Sequence, residues 1–584
     1  GGVQVRLFEI LKLATGKGKK IKWRGAKQEG KTTYKGRGKP PVRLSALYRG
    51  GKKENGVATL ANEVLAETRA QAAATNGMKE SFPRIARALM DALRPFPAQA
   101  DASAQWTEEV CTWERFERAV ASAGADVGVG ADGYSGYLTR KASVAARRLY
   151  FDLIRDVLRA HDFPDEWKLW ECVLLMKPGE DPRELGRRRD VWLMPHSLKV
   201  AARMLMCEYE DACGRYVPAS QSGFSQDANA PAQTLVMRMH RERCRERKQG
   251  YYVAYCDLGT YFMSICKEVM TVAEEWVGTR VEVSHVLLAM QEGLKGRVET
   301  AYGMTEPHDM PGVACGQGHE CSPARSKVMA SFIQEMATQV CRGYKFGRTA
   351  VPQCWYADDS AYLCEDLSGV QMALDAMYMV ARVSGLKVTV KAADVKTRHG
   401  TKTAWMGTYY NEKGEEKEVH GWEIRLPDGT VVPQVKSYKY LGTPLQIEYR
   451  GRHDALRKKV VSACCGLIRQ IGRVEFLGPR QVRRAMELAL AGVCGYYCRS
   501  TPMTWHDCQQ IEGVRAEVLA RRGLCAETPR AAIYLSGEAG GLGHMHAYQH
   551  ASAAYIDQFH RALSGGLGEP VRVTVSERIE STCR

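Results

Sequence analysis

The stretch Tyr356-Ala357-Asp358-Asp359 constrains this chain more than any other. Short apolar, β-prone runs flank it, Val351 to Trp355 before and Ala361 to Leu363 after, so it reads as a hairpin with an acidic tip. Two aspartates at a tight tip cannot both ionise cheaply unless a cation sits between them. Well upstream, Tyr251 to Phe262 reads YYVAYCDLGTYF, an aromatic and apolar strand-type run ending in Asp257. If that strand pairs beside the hairpin, Asp257 joins Asp358 and Asp359 as a third oxygen donor. Two-metal phosphoryl transfer needs such a cluster, because one or two carboxylates leave too few oxygens for ions about 4 Å apart. Mg²⁺, a hard cation that takes oxygen ligands, is the expected metal. The plainer alternative makes Asp257 the cap of a helix starting near Leu258, with Phe262 in the core.

Between these motifs lies Gly316-Gln317-Gly318-His319-Glu320-Cys321-Ser322-Pro323. Ser322-Pro323 is a good helix start, and Ala324 to Met336 continues in a helical pattern. The glycines let backbone approach a ligand closely, and Gln317 offers both a donor and an acceptor.

In this order and spacing the three motifs resemble the palm of a reverse transcriptase, most closely that of the non-LTR (LINE-like) retrotransposon enzymes. Weaker matches extend the resemblance from about Trp113 to Gly543. Ala131 to Tyr134 is similar to the family's Asp-Gly element, and Phe163 to Lys168 with Val173 to Gly179 to its P-x-x-W-K … K-P-G strand. Gln221-Ser222-Gly223-Phe224 is similar to the element before the first palm aspartate, and Gly385 to Val388 to the start of a later palm motif. Tyr438 to Gly442 resembles the Tyr-Leu-Gly primer grip.

The resemblance implies an α+β right-hand polymerase: fingers, a palm with an antiparallel sheet, and a helical thumb. It implies RNA-templated DNA synthesis, with Asp257, Asp358 and Asp359 as catalytic residues holding two Mg²⁺ ions, for which Mn²⁺ substitutes. Lys177, Arg189, Phe262, Gln317 and Gly318 would bind the nucleotide, with the Phe262 ring clashing with a ribose 2′-hydroxyl. Tyr440, Leu441 and Gly442 would form the primer grip. RNA template, DNA primer or nicked target DNA, and dNTPs are the implied partners. An RNA-dependent RNA polymerase would resemble a pattern with a second Asp where Phe262 stands, and Gly-Asp-Asp at the hairpin. A non-catalytic or maturase-like RNA-binding protein on the same fold is the alternative. The chain departs from the family pattern at Asp190-Val191, Met263, Gln226-Asp227 and Thr389. The lysine that normally follows this last position is displaced or is Lys391.

Charge is uneven along the 584 residues: of a net +17, residues 1 to 53 supply 16 Lys or Arg against Glu9 and Glu29 only. That segment has no periodic apolar face, so residues 1–55 read as a basic, disordered tail suited to phosphate backbones. The expected organisation continues with a helical lead-in at 56–110, fingers at 111–250 and a palm at 251–435. Primer grip, thumb and C-terminal extension would occupy 436–584. A hairpin is expected from Trp422 to Val432, turning at Pro427-Asp428-Gly429. Leu456, Val460, Ala463, Leu467 and Ile471 form one helical apolar stripe, with Lys458, Lys459, Arg469 and Arg473 off it. His240 to Lys248 (HRERCRERK) reads equally as a solvated helix face or a template contact. No apolar run has membrane-spanning length without charges, and no secretory signal, endonuclease signature or ribonuclease H cluster is visible. The 19 cysteines match no paired zinc frame and read as reduced thiols of an intracellular protein, nuclear or cytoplasmic if from a eukaryotic mobile element.

Overall fold

The computed structural model describes residues 47–49, 52–54, 86–87, 105–122, 129–176, 188–216, 218, 220–225, 228–300, 303–310, 314–316, 318–340, 343–346, 349–351, 353–391, 401–447, 454–523, 531–539 and 542–583. The fold is mixed α+β. Its first layer is built on aromatic packing. Helices α1 (Trp113–Ser122) and α2 (Val144–Ala160) meet through the rings of Trp113, Phe116 and Phe151. Strand β1 (Leu169–Met176) pairs antiparallel with β2 (Arg188–Leu193). Helix α3 (His196–Tyr216) starts where Asp132 Oδ2 accepts the His196 N–H at 2.7 Å.

Helix α4 (Ala230–Glu246) leads into β3 (Tyr251–Gly259), the axis of the central sheet. Next come α5 (Lys267–Trp276), β4 (Lys295–Thr300, parallel to β1) and α6 (Ser322–Val340). The hairpin β5 (Gln353–Tyr356) and β6 (Asp359–Cys364) follows, then α7 (Leu367–Val383), β7 (Lys387–Val388), β8 (Ala404–Tyr410) and β9 (Glu416–Glu418). The sheet order is β5-β6-β3-β8-β9, with β7 also on β3, and every pairing is antiparallel.

Alternation along β3 explains why it reads as a nearly continuous apolar run. Ala254 and Cys256 join one core with Leu374 and Met377 of α7, while Val253 and Tyr255 join a second core with Leu235 and Val236 of α4. The strand does not stop at Asp257; it continues to Gly259, and Asp257 is a strand residue, not a helix cap. Asp257 keeps its side chain 15% exposed, so a carboxylate is tolerated there although Leu258 beside it is buried.

The hairpin β10 (Ser437–Tyr440) and β11 (Thr443–Gln446) precedes a helical third core. It comprises α8 (Ala455–Gly472), α9 (Pro479–Tyr497), α10 (Trp505–Arg521) and part of α11 (Ala547–Leu563). Helix α12 (Glu569–Cys583) returns to the second core. Among the described residues no helix is long and apolar enough to cross a membrane.

Several sequence expectations change. The stripe on α8 runs through Leu456, Val460, Cys464, Ile468 and Ile471, with Ala463 and Leu467 only half-buried. Cys464 takes a place on the stripe because a free thiol packs as a small hydrophobe. His240 to Lys248 is a solvated face only at its end, where Glu246, Arg247 and Lys248 are exposed. His240 is fully buried, Arg241 pairs with Glu416 at 2.6 Å, and Arg243 and Arg247 both bind Glu577 of α12. Residues 47–54, assigned to the disordered tail, include a hairpin, Leu47–Arg49 with Lys52–Glu54; the tail's earlier residues lie outside those described. The Trp422 to Val432 hairpin forms as expected, Ile424–Arg425 against Val431–Val432, with Gly429 at φ 85°.

Candidate active site

Register brings the aspartates together. Strand β6 runs antiparallel to β3 with Asp359 directly opposite Asp257, which sets their Cβ atoms about 5 Å apart. Asp358 occupies the two-residue turn, since Tyr356 pairs with Asp359. Ala357, the other turn residue, has φ 58°. A positive φ there normally calls for glycine, and alanine costs roughly 1 kcal/mol.

What holds Ala357 is a side chain read from sequence without a role. The Ala357 N–H donates to Gln221 Oε1 at 3.0 Å, and Gln221 Nε2 donates back to the Ala357 carbonyl at 3.3 Å. The same Oε1 accepts the Gly223 N–H at 2.8 Å, and Trp355 and Ser220–Ser222 exchange backbone bonds. A Cβ on Gly223 would lie 2.2 Å from the Ala357 nitrogen, so only glycine lets this loop close on the turn. Gln221→Leu would take this partner from three backbone groups, two of them at the strained Ala357. We expect a local loss of about 1–3 kcal/mol, read by hydrogen exchange as faster exchange at the β5–β6 amides than in the parent. Unchanged protection would remove Gln221 as the brace.

Electrostatics at the turn are unfavourable without a counter-charge. Asp358 and Asp359 keep some open surface but are crowded by protein atoms. Burial, and then Asp257, push the Asp358 carboxyl above its ordinary range. Burial, then Asp358 and Asp257, push Asp359 up to about 7. Arg189, exposed on β2, and Lys402 act in the opposite direction on Asp358. Lys402 Nζ sits 2.7 Å from Asp257 Oδ1. Lys402 lies beyond residues 392–400 in the chain, 13 positions after Thr389.

Phe262 follows a left-handed turn at Thr260 (φ 45°) and is half-buried, its ring edge-on to Phe224 at 6.2 Å. Phe224 itself is exposed and has φ 57°. Gly318 has φ 109°, and a Cβ there would lie 2.4 Å from the Trp192 carbonyl; it seats its loop against β2. Lys177 and Gln317 lie outside the described residues.

The Tyr440-Leu441-Gly442 segment forms the tight turn between β10 and β11, with φ 47° and 75° at its two central residues. It packs on the same face of the sheet as Asp257. Tyr438 stacks on Tyr255 at 4.0 Å, and Tyr440 donates its hydroxyl to the Cys354 carbonyl at 2.9 Å. Tyr496 of α9 bonds the Leu441 carbonyl, and Lys459 of α8 the Gly442 carbonyl. The turn thus joins the acidic hairpin to the helical core.

Three carboxylates converging in a crowded setting are hard oxygen donors whose mutual repulsion a divalent cation would relieve, so the residues fit Mg²⁺. Among the described residues no three His, Cys, Asp or Glu side chains form a preassembled metal cage. No protein-family model and no curated protein matches this chain.

Proposed function

We propose that this protein is a right-hand, palm-type polymerase that copies RNA into DNA, serving retrotransposition of a non-LTR element. The reading rests on one observation above the others: Asp257 and Asp359 are direct cross-strand partners with Asp358 in the adjoining braced turn. In this reading the central sheet is the palm, residues 111–250 the fingers, and the helices from α8 onward the thumb. Asp257, Asp358 and Asp359 would hold two Mg²⁺ ions, or Mn²⁺ in their place. Such ions supply, when bound, activation of a primer 3′-hydroxyl and neutralisation of the triphosphate. Arg189 adds positive charge on the side from which the triphosphate enters, and Lys177 is its proposed companion. Gln317 and Gly318 belong to the proposed nucleotide pocket. The Tyr440 to Gly442 turn, fixed from both sides, supports the primer strand.

Primer extension on a poly(rA)/oligo(dT) duplex with dTTP and Mg²⁺ or Mn²⁺ tests this. Extension by the parent supports the polymerase. Tight RNA binding without extension favours the alternative, a non-catalytic or maturase-like RNA-binding protein. The closed Lys402–Asp257 pair is the observation that favours that second reading.

Phe262 carries the proposed sugar discrimination. Phe262→Val removes the ring that packs edge-on to Phe224, five positions after Asp257. We expect ribonucleotide incorporation to rise about tenfold or more relative to deoxynucleotide, a gain of ~1.4 kcal/mol. An unchanged ratio in single-nucleotide kcat/KM measurements would dismiss the gate.

A further inference from the structure

We propose that Lys402 is a built-in counter-ion of the acidic site, holding Asp257 while no metal is bound and giving up that place when a divalent cation arrives. The inference rests on the reading of Asp257, Asp358 and Asp359 as metal ligands.

Backbone bonds stitch the segment that carries Lys402 to Asp257. The Asp257 N–H donates to Thr403 Oγ1 at 3.1 Å, and its carbonyl accepts the Thr389 N–H at 2.9 Å. Thr403 donates its own N–H to the Thr389 carbonyl, and Lys402 donates its N–H to the Lys391 carbonyl, both at 3.0 Å. The main chain beside the carboxylate is therefore fixed, and the lysine side chain is the part free to leave.

Its setting suits that role. The Lys402 side chain is 47% exposed and that of Asp257 15%, so the ammonium can swing into water without crossing protein. A lysine is a point charge on a flexible stem, without the planar fork that would lock an arginine onto the carboxylate. An ion pair this exposed is weak, too weak to hold the site against a divalent cation that gains three carboxylates. Lys402 thereby raises the metal concentration at which the site fills and keeps the carboxylates from repelling one another until then.

The test is Mn²⁺ binding to the full chain, followed by electron paramagnetic resonance without nucleotide or template. Lys402→Gln is expected to tighten binding by roughly three- to tenfold, and Lys402→Arg, which keeps the charge, to bind no more tightly than the parent. On the parent protein, Mn²⁺ should speed reductive methylation of Lys402, read by mass spectrometry, because the released amine becomes accessible. Unchanged or weaker binding by Lys402→Gln, or methylation indifferent to Mn²⁺, overturns the inference. Asp358→Asn separates the two levels. If it abolishes Mn²⁺ binding while Lys402→Gln changes nothing, the metal site stands and the counter-ion does not. If Asp358→Asn leaves Mn²⁺ binding intact, the metal-site reading fails and takes the inference with it.

Discussion

Asp358→Asn is expected to cut templated DNA synthesis by about a thousandfold or more, ~4 kcal/mol of lost transition-state stabilisation. RNA binding should stay close to that of the parent. Asparagine keeps the shape of the side chain at the turn but removes an anionic oxygen ligand. The same change relieves a cost in the metal-free protein. Burial, and then Asp257, hold the Asp358 carboxyl above its ordinary range. A carboxyl raised on folding binds its proton more tightly in the folded state, so stability falls as pH rises from the unfolded value through the folded one. Asp359 adds a cost of the same sign: pushed up to about 7 from an ordinary 3.8, its own share falls between about pH 4 and 7. At pH 8 the metal-free Asp358→Asn protein should therefore melt above the parent even as synthesis disappears. Retained synthesis would sink the carboxylate assignment. Lost synthesis with a lower melting temperature would point to misfolding instead.

How much of this could be read from the chain depended on whether the signal was local. The acidic hairpin is local: two short strands, a two-residue turn, and a register that puts Asp358 at the tip. Pairing of β3 beside it followed from chemistry, since three acids need one another only around a cation, and the register bears that pairing out. Partners far along the chain stayed hidden. Gln221 braces Ala357 across 136 positions, and the only hint was a Gln-x-Gly-Phe element without an evident role. Lys402 meets Asp257 from 145 positions away, and no local pattern in the chain links the two. Charge composition misled at His240 to Lys248, whose arginines find Glu416 and Glu577 only through tertiary packing. A run of basic residues states how much charge there is, not where its acids are.

The second large effect is structural and lies in the first core. Glu274 of α5 and Arg325 of α6 form an ion pair at 2.7 Å with both side chains fully buried. Tyr209 of α3 donates to the same Glu274 oxygen at 3.1 Å, and Arg325 Nη1 donates to the Ala314 carbonyl at 2.9 Å. This group ties three helices of the first core to the loop that carries Gly318. Glu274→Ala would leave the Arg325 guanidinium buried without its carboxylate. We expect a loss of about 3–5 kcal/mol, the cost of a stranded buried charge. In urea, tryptophan fluorescence should show the first core, which holds Trp170, Trp192 and Trp276, unfolding at lower denaturant than in the parent. The double variant Glu274→Leu with Arg325→Met removes both charges together and should recover most of that loss, because a well-packed apolar pair replaces a buried ion pair at little net cost. A double variant no more stable than Glu274→Ala would show that Arg325 contributes chiefly through the Ala314 carbonyl, so that the pair is a hinge of the loop and not a counter-ion to Glu274.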